Sequence, residues 1–185
     1  MITNYCSVEG GNIMNRIIVF IIWVGLLIIA TISPLWGEPS LFLNQVFNGS
    51  LDPSQWFIFT SLGIFPLYFL IFSFNEKQPL WRSLLYMFGM ILGGFIVFPL
   101  EIINKHSANP LTRLQIILLA LMDTVLMIML IWAIIFGDWS VYIQSYQNDI
   151  FVNIMTWDFI AIVIVLFYKV ISNSRIYFKT ILKQE

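Results

Sequence analysis

The sequence predicts an all-α protein, a polytopic transmembrane helical bundle with about five membrane-spanning helices. The first observation behind this is composition: 59% of the 185 residues are hydrophobic, only 10% are charged, and the mean hydropathy is +0.88. A soluble domain has about 45–50% apolar and about 25% charged residues. The chain therefore has too few charges to coat a water-facing surface, which excludes a soluble enzyme, a disordered protein and a nucleic-acid binder.

The second observation is five apolar stretches, each close to the roughly 20 residues that a helix needs to cross a bilayer core of about 30 Å. They cover residues 17–36, 56–74, 84–103, 114–136 and 150–171. We expect helices, because lipid cannot satisfy exposed backbone N–H and C=O groups. Tryptophans stand near several of the ends, where their rings prefer the headgroup level.

These stretches define one transmembrane helical domain over residues 17–171. Residues 1–16 are interpreted as an N-terminal extension. The first stretch also fits the apolar region of a signal peptide, but its length and the lack of an A-x-A-like cleavage site favour a retained span. Residues 172–185 form a basic amphipathic tail, in which Arg175, Lys179 and Lys183 recur every four residues, a pattern typical of a helix resting on anionic headgroups.

Three arrangements in the membrane compete. Arg16 before the first stretch, and a first loop without Lys or Arg, favour five spans with a cytoplasmic N-terminus, but that arrangement leaves six basic residues outside and three inside. Five spans with a cytoplasmic C-terminus put the larger basic cluster inside, and this is the arrangement we predict, in a bacterial inner membrane or an equivalent one. If the stretch 84–103 instead bends, at Gly93 and Gly94 and at Pro99, and returns to its own side, all nine Lys and Arg residues lie inside. Such a re-entrant segment has to be buried in protein.

Three carboxylates are candidates for chemistry. Asp123 lies near the middle of the fourth stretch, where an ionisable residue costs about 2.5–3.5 kcal/mol and is functional by default, as a proton relay, ion ligand or general acid/base. Its structural alternative is a protonated carboxyl that hydrogen-bonds a neighbouring helix. Asp158 lies a third of the way into the fifth stretch. Glu101 ends the third, and we expect it to snorkel to the interface beside Lys105.

Small residues predict close packing in the third stretch. Gly89 and Gly93 form a GxxxG pair, which permits tight helix contact within the bundle, with a protein partner or in a homo-oligomer. Gly94 shares one helix face with Glu101. Pro66 is expected to kink the second stretch.

The sequence predicts no cofactor and no metal site. It contains one cysteine, Cys6, and one histidine, His106, whereas a structural zinc site needs four such ligands. His106 is interpreted as an exposed loop residue. The lipid bilayer is the one certain partner, and nucleic acid is not expected, since the net charge is −1.

Short motifs at residues 62–66 (LGIFP), 79–81 (PLW), 93–94 (GG), 98–99 (FP) and 155–159 (MTWDF) carry a resemblance. In this order they resemble an uncharacterised multi-pass membrane protein family of cyanobacteria and plastids, over about residues 53–172. The resemblance implies a membrane-embedded helical protein with Asp158 as its most motif-like acidic residue, and it implies no reaction. The family leads us to expect a histidine near position 153, where this chain has Asn153.

Three functions stay open. The first is an accessory or assembly subunit of a membrane complex, which needs no catalytic residues. The second is a membrane-embedded enzyme acting on a lipid or isoprenoid, with Asp123, Asp158 or Glu101 as acid and base; two carboxylates held close together would be kept in different protonation states. The third is a proton- or cation-coupled transporter, although such proteins are often built from repeats and this chain has none that we detect.

Overall fold

In the computed structural model, nearly all of the residues that the structure describes are helical, as predicted. The structure describes residues 6–32, 42–73, 80–103 and 112–181, and within them the side chains of 15–32, 42, 44–72, 80–103 and 112–171. The helices of these ranges are α1 (Cys6–Ile32), α2 (Phe42–Asn48), α3 (Pro53–Ser73), α4 (Leu80–Leu92), α5 (Gly94–Ile103), α6 (Arg113–Phe136), α7 (Trp139–Asn148) and α8 (Ile150–Ile181).

Four of these helices, α1, α3, α6 and α8, are long and apolar enough to cross a membrane. They cover the first, second, fourth and fifth predicted stretches. Two of them begin at a capping side chain: Asp52 accepts a hydrogen bond from the Ser54 N–H at the start of α3, and Thr112 forms a capping box with Gln115 at the start of α6. The predicted helical bundle is therefore confirmed.

The third predicted stretch, residues 84–103, differs from a single continuous span. It is divided at Gly93 between two shorter apolar helices, α4 and α5. Gly93 has a φ of +57°, a left-handed conformation that costs an L-residue with a side chain about 1–2 kcal/mol. Its N–H donates to the Gly89 carbonyl, and its own carbonyl accepts from the Val97 N–H at 3.2 Å, so one helix ends and the next begins at this residue.

Helices α4 and α5 fold back on each other as a hairpin. The Tyr86 hydroxyl donates to Glu101 Oε1 at 2.7 Å, although the two residues are 15 positions apart. In one straight helix they would be separated by about 22 Å along the axis. A Cβ on Gly89 would likewise lie 2.9 Å from Val97 Cγ2. Residues 84–103 therefore lie in a hairpin of two short helices, and not in the single continuous helix of the predicted third stretch.

The long helix α3 lies at the centre of the bundle. It packs against α4, α6 and α8, while α1 packs against α5 and α8. Half of the apolar segment of α3 that is long enough to cross a membrane is buried inside the bundle, whereas only 6% of the corresponding segment of α6 is buried. The largest fully buried side chains include Phe69 of α3, Phe98 of α5 and Ile162 of α8, so the core lies between α3, the hairpin and α8.

The first and last helices extend beyond the bounds of the predicted transmembrane domain, residues 17–171. Helix α1 begins at Cys6, so it includes much of the segment interpreted as an extension, and α8 continues without a break to Ile181, through most of the predicted tail. Pro66 lies inside α3, fully buried. His106 and Lys105 lie outside the described residues.

The hairpin turn generates the first prediction. We expect Gly93→Ala to lower the free energy of unfolding by about 2 kcal/mol or more, because it combines left-handed strain with overlap of the new Cβ and the Asp158 carboxylate. Thermal unfolding in detergent, followed by tryptophan fluorescence, measures the loss. Gly25→Ala is the matched control, since a Cβ there meets nothing within 4 Å. Equal stability of the two variants would contradict the tight turn.

Candidate functional site

The tip of the hairpin is held by the carboxylate of Asp158. This side chain of α8 is only 4% exposed. Its Oδ1 and Oδ2 accept hydrogen bonds from the Gly94 N–H at 2.9 and 3.1 Å. Gly94 is the first residue of α5, so the carboxylate caps the positive end of that helix, where a negative charge is favourable. Asp158 lies about 12 Å along the axis from the start of α8, deep within its apolar part.

The two glycines at the tip leave the space that the Asp158 carboxylate occupies. A Cβ on Gly94 would lie 2.5 Å from Oδ1 and 2.6 Å from Phe98 Cε2. A Cβ on Gly93 would overlap Oδ2. Gly89, the other member of the GxxxG pair, faces Val97 and Pro66. All three glycines therefore serve contacts inside this chain.

A buried ion pair lies at the open end of the hairpin. Lys169 Nζ of α8 is 2.9 Å from Glu101 Oε2 of α5, and the two side chains are 12% and 4% exposed. Glu101 Oε1 accepts from the Tyr86 hydroxyl of α4, and the Lys169 ammonium also lies 5.1 Å from the centroid of the Phe69 ring. Glu101 is thus buried in an ion pair, not snorkelling at the interface as predicted, because the hairpin brings it against α8.

Sequence reasoning missed Lys169 as the partner of Glu101. The two residues are 68 positions apart. The sequence does contain a signal, because Glu101 and Lys169 have opposite charges and stand near the ends of the third and fifth apolar stretches. These two ends lie on the same side of the membrane in every predicted arrangement. The sequence patterns of α5 and α8 do not indicate which face of one helix contacts which face of the other.

Asp123 lies in a different environment. It is near the middle of α6, and its side chain is on the exposed surface of the bundle. The buried Tyr68 of α3 donates its hydroxyl hydrogen to Asp123 Oδ1. Next to it on α6, the hydroxyl of the exposed Thr124 donates to the Ala120 carbonyl at 2.7 Å.

The three predicted carboxylates therefore have three separate sets of partners. Asp158 joins α8 to α5, Glu101 joins α5 to α4 and α8, and Asp123 joins α6 to α3. Among the described residues no group of three His, Cys, Asp or Glu side chains is arranged to hold a metal ion. Chemically, each carboxylate is placed to fix one helix against another.

A second polar region lies at the opposite ends of the long helices. Asp52 accepts from the backbone N–H of Asp138 at 3.1 Å, and Asp149 accepts from that of Phe42 at 3.1 Å. Asp138 in turn caps α7, and hydrogen bonds from Ser140 hold the pKa of its carboxyl below the ordinary value. These aspartates tie α2, α3, α7 and α8 together at their ends.

The fold and these contacts define the class of the protein: it has the helices of a membrane-embedded bundle, fastened internally by polar side chains. Comparison with known proteins finds no family model that matches the chain, and no significant similarity to a curated protein or a solved structure. The resemblance to the cyanobacterial and plastid family stays a prediction.

The buried ion pair generates the second prediction. Glu101→Gln and Lys169→Met should each lower the free energy of unfolding by about 3 kcal/mol, because each leaves the other charge without its partner in a buried place. The double variant should recover most of that loss, since it removes both charges. Unfolding of detergent-solubilised protein measures all three.

Arg113→Gln is the matched control, because the Arg113 side chain is exposed at the start of α6. It should change stability by no more than about 0.5 kcal/mol. A double variant as unstable as the sum of the two single variants would show that the charges act independently.

Proposed function

We propose that the protein is a non-catalytic subunit of a membrane protein complex, which docks through helix α6. The observation that carries this is a carboxyl group on the outside of the bundle at mid-span. Only 6% of the apolar, membrane-spanning segment of α6 is buried inside the bundle. Asp123 lies near the centre of this segment, and its acidic side chain is exposed among apolar ones. Intramembrane ionisable residues almost always face protein or a water-filled cavity.

The cost of Asp123 supports a protein neighbour at this surface. An ionised Asp at the centre of a membrane helix costs about 2.5–3.5 kcal/mol on insertion scales. The exposed apolar side chains around it, such as Leu121 and Ile128, are suited to lipid. Tyr68 supplies one hydrogen bond to Asp123 Oδ1, and the rest of this exposed carboxyl group needs a polar neighbour that lipid tails do not supply.

The separate partners of the carboxylates favour a subunit over an enzyme. General acid/base chemistry needs two groups within reach of one reacting atom. Asp158 and Glu101 are instead engaged in different contacts at the tip and at the open end of the hairpin. The GxxxG pair also lies inside the chain's own packing, so α6 is the better candidate for an interface.

We further propose that both termini and every basic residue face the cytoplasm. Four crossing helices and a hairpin that returns to its own side give this result. The residues concerned are Arg16, Lys77, Arg82, Lys105, Arg113, Lys169, Arg175, Lys179 and Lys183. The other side then carries the aspartates that cap α3, α7 and α8, in accord with the positive-inside rule.

Cysteine labelling tests this orientation, in a Cys6→Ser background. Ser50→Cys and Gln144→Cys should react with a membrane-impermeant thiol reagent applied from outside the cell. Gln78→Cys and Ser107→Cys should react only after the membrane is opened. With five spans and a cytoplasmic C-terminus, Ser50→Cys would react only after the membrane is opened and Gln78→Cys would react from outside. With five spans and a cytoplasmic N-terminus, Gln144→Cys would react only after the membrane is opened and Ser107→Cys would react from outside.

Native mass spectrometry of the protein, gently extracted from its own membrane, tests the proposed role. We expect a stoichiometric protein partner that is retained by the wild type and lost in Asp123→Leu, because the leucine removes the polar contact. Val125→Leu is the matched control on another exposed face of α6. A monomer that carries a small apolar ligand, released by Asp158→Asn, would instead favour the enzyme or transporter.

A further inference from the structure

We infer that the partner on α6 is a second copy of this chain, bound about a two-fold axis with the two Asp123 carboxyl groups hydrogen-bonded to each other. This inference rests on the proposed role as a subunit, and it names the occupant of the surface. The surface consists of Ala120, Asp123, Thr124 and Met127, all exposed near the middle of α6.

Helix α6 contacts α3 along one stripe only. Buried or half-buried residues recur every three or four positions along it, as in a helix that packs on one face. They are Gln115, Leu119, Met122, Leu126, Met129, Leu130 and Ala133. Gln115 Nε2 donates to the Ile71 carbonyl of α3 at 2.8 Å, which fixes this stripe against α3. At about 100° per residue, Thr124 points almost opposite to the stripe, and Asp123 lies at its flank.

The hydrogen bonds of Asp123 leave part of the carboxyl group unused. Tyr68 donates to Oδ1, and among the residues that the structure describes Oδ2 has no partner. A carboxyl group that keeps its own proton has one O–H donor, and it retains acceptor positions beside the bond from Tyr68. Because the Asp123 side chain is exposed, these remaining positions are open to a polar group that covers this face of α6.

A second copy supplies the matching group. Two-fold axes are the commonest symmetry of oligomers, and they bring the same residue of both chains together. Two copies in one membrane hold Asp123 at the same depth. A carboxyl group both donates and accepts, so two of them form hydrogen bonds to each other without any other side chain.

The neighbours of Asp123 permit the close approach that such a pair requires. Ala120 and Thr124 are four positions apart, the small-xxx-small spacing at which membrane helices pack closely. The Thr124 hydroxyl is already bonded within α6, to the Ala120 carbonyl, so it can be covered without loss. Larger apolar side chains occupy the other exposed positions at this depth, such as Leu121 and Val125.

Disulfide cross-linking in membranes tests the inference, in the Cys6→Ser background. Thr124→Cys and Ala120→Cys should give cross-linked dimers of this chain, because two-fold packing brings each residue near its own copy. Val125→Cys is the matched control at the same depth, about 200° around the helix from Asp123. We expect at least roughly 10-fold less dimer from this control.

Association of the purified chain in lipid nanodiscs or micelles, measured by energy transfer between labelled copies, gives the affinity. Asp123→Leu should weaken the dimer by about 10-fold or more. Ala120→Leu should also weaken it, and it leaves the Asp123–Tyr68 bond in place, so misfolding would not explain the result. Tyr68→Phe keeps the carboxyl group and should still dimerise.

Equal cross-linking at 124 and 125, or none at either, would overturn the second copy. If Thr124→Cys cross-links in native membranes to a different protein, the homodimer is wrong and the subunit role stands. A monomer in native membranes, with no cross-link at this face, overturns both proposals.

Discussion

The hydrogen bonds from Gly94 to the Asp158 carboxylate are the interaction on which the hairpin depends. Backbone at the depth of a bilayer core finds no water, and each unsatisfied polar group there costs several kcal/mol. A chain that turns around inside the bundle must satisfy its tip from within the protein. Asp158 does so, and the same contact requires glycine at 93 and 94, since a Cβ at either would meet the carboxylate.

The position of Asp158 also places the rest of the core. Because α8 holds the tip at one end and the Glu101–Lys169 pair at the other, α5 is fixed along its length against α8. Tyr86 then sets α4 alongside α5, and Gly89 lets Pro66 of α3 approach. These polar contacts lie where the faces of α4, α5 and α8 meet, and they add interhelical bonds to the packing of side chains in lipid, where the hydrophobic effect does not drive helices together.

Composition and the length of the apolar stretches predict the four long helices, because a crossing helix needs about 20 consecutive apolar residues. Gly93 and Gly94, together with Pro99, indicate that the third stretch can bend. The sequence offers a hairpin there only as an alternative, since the residue that stabilises the turn lies 64 positions away. The same holds for Glu101: its partner was decided by tertiary packing, and neither local charge nor spacing contained that information.

The exposed faces of α4 and α6 show why composition alone does not separate a lipid-facing surface from an interface. On α4, exposed side chains such as Leu84, Phe88 and Ile91 are apolar and need nothing but lipid. On α6 most exposed residues are equally apolar, and at mid-span the group around Asp123 differs from them. An exposed apolar surface can be covered by lipid as well as by protein, so it does not indicate which of the two contacts it. A hydrogen-bonding group at mid-span does carry one, because protein can pair it and hydrocarbon cannot.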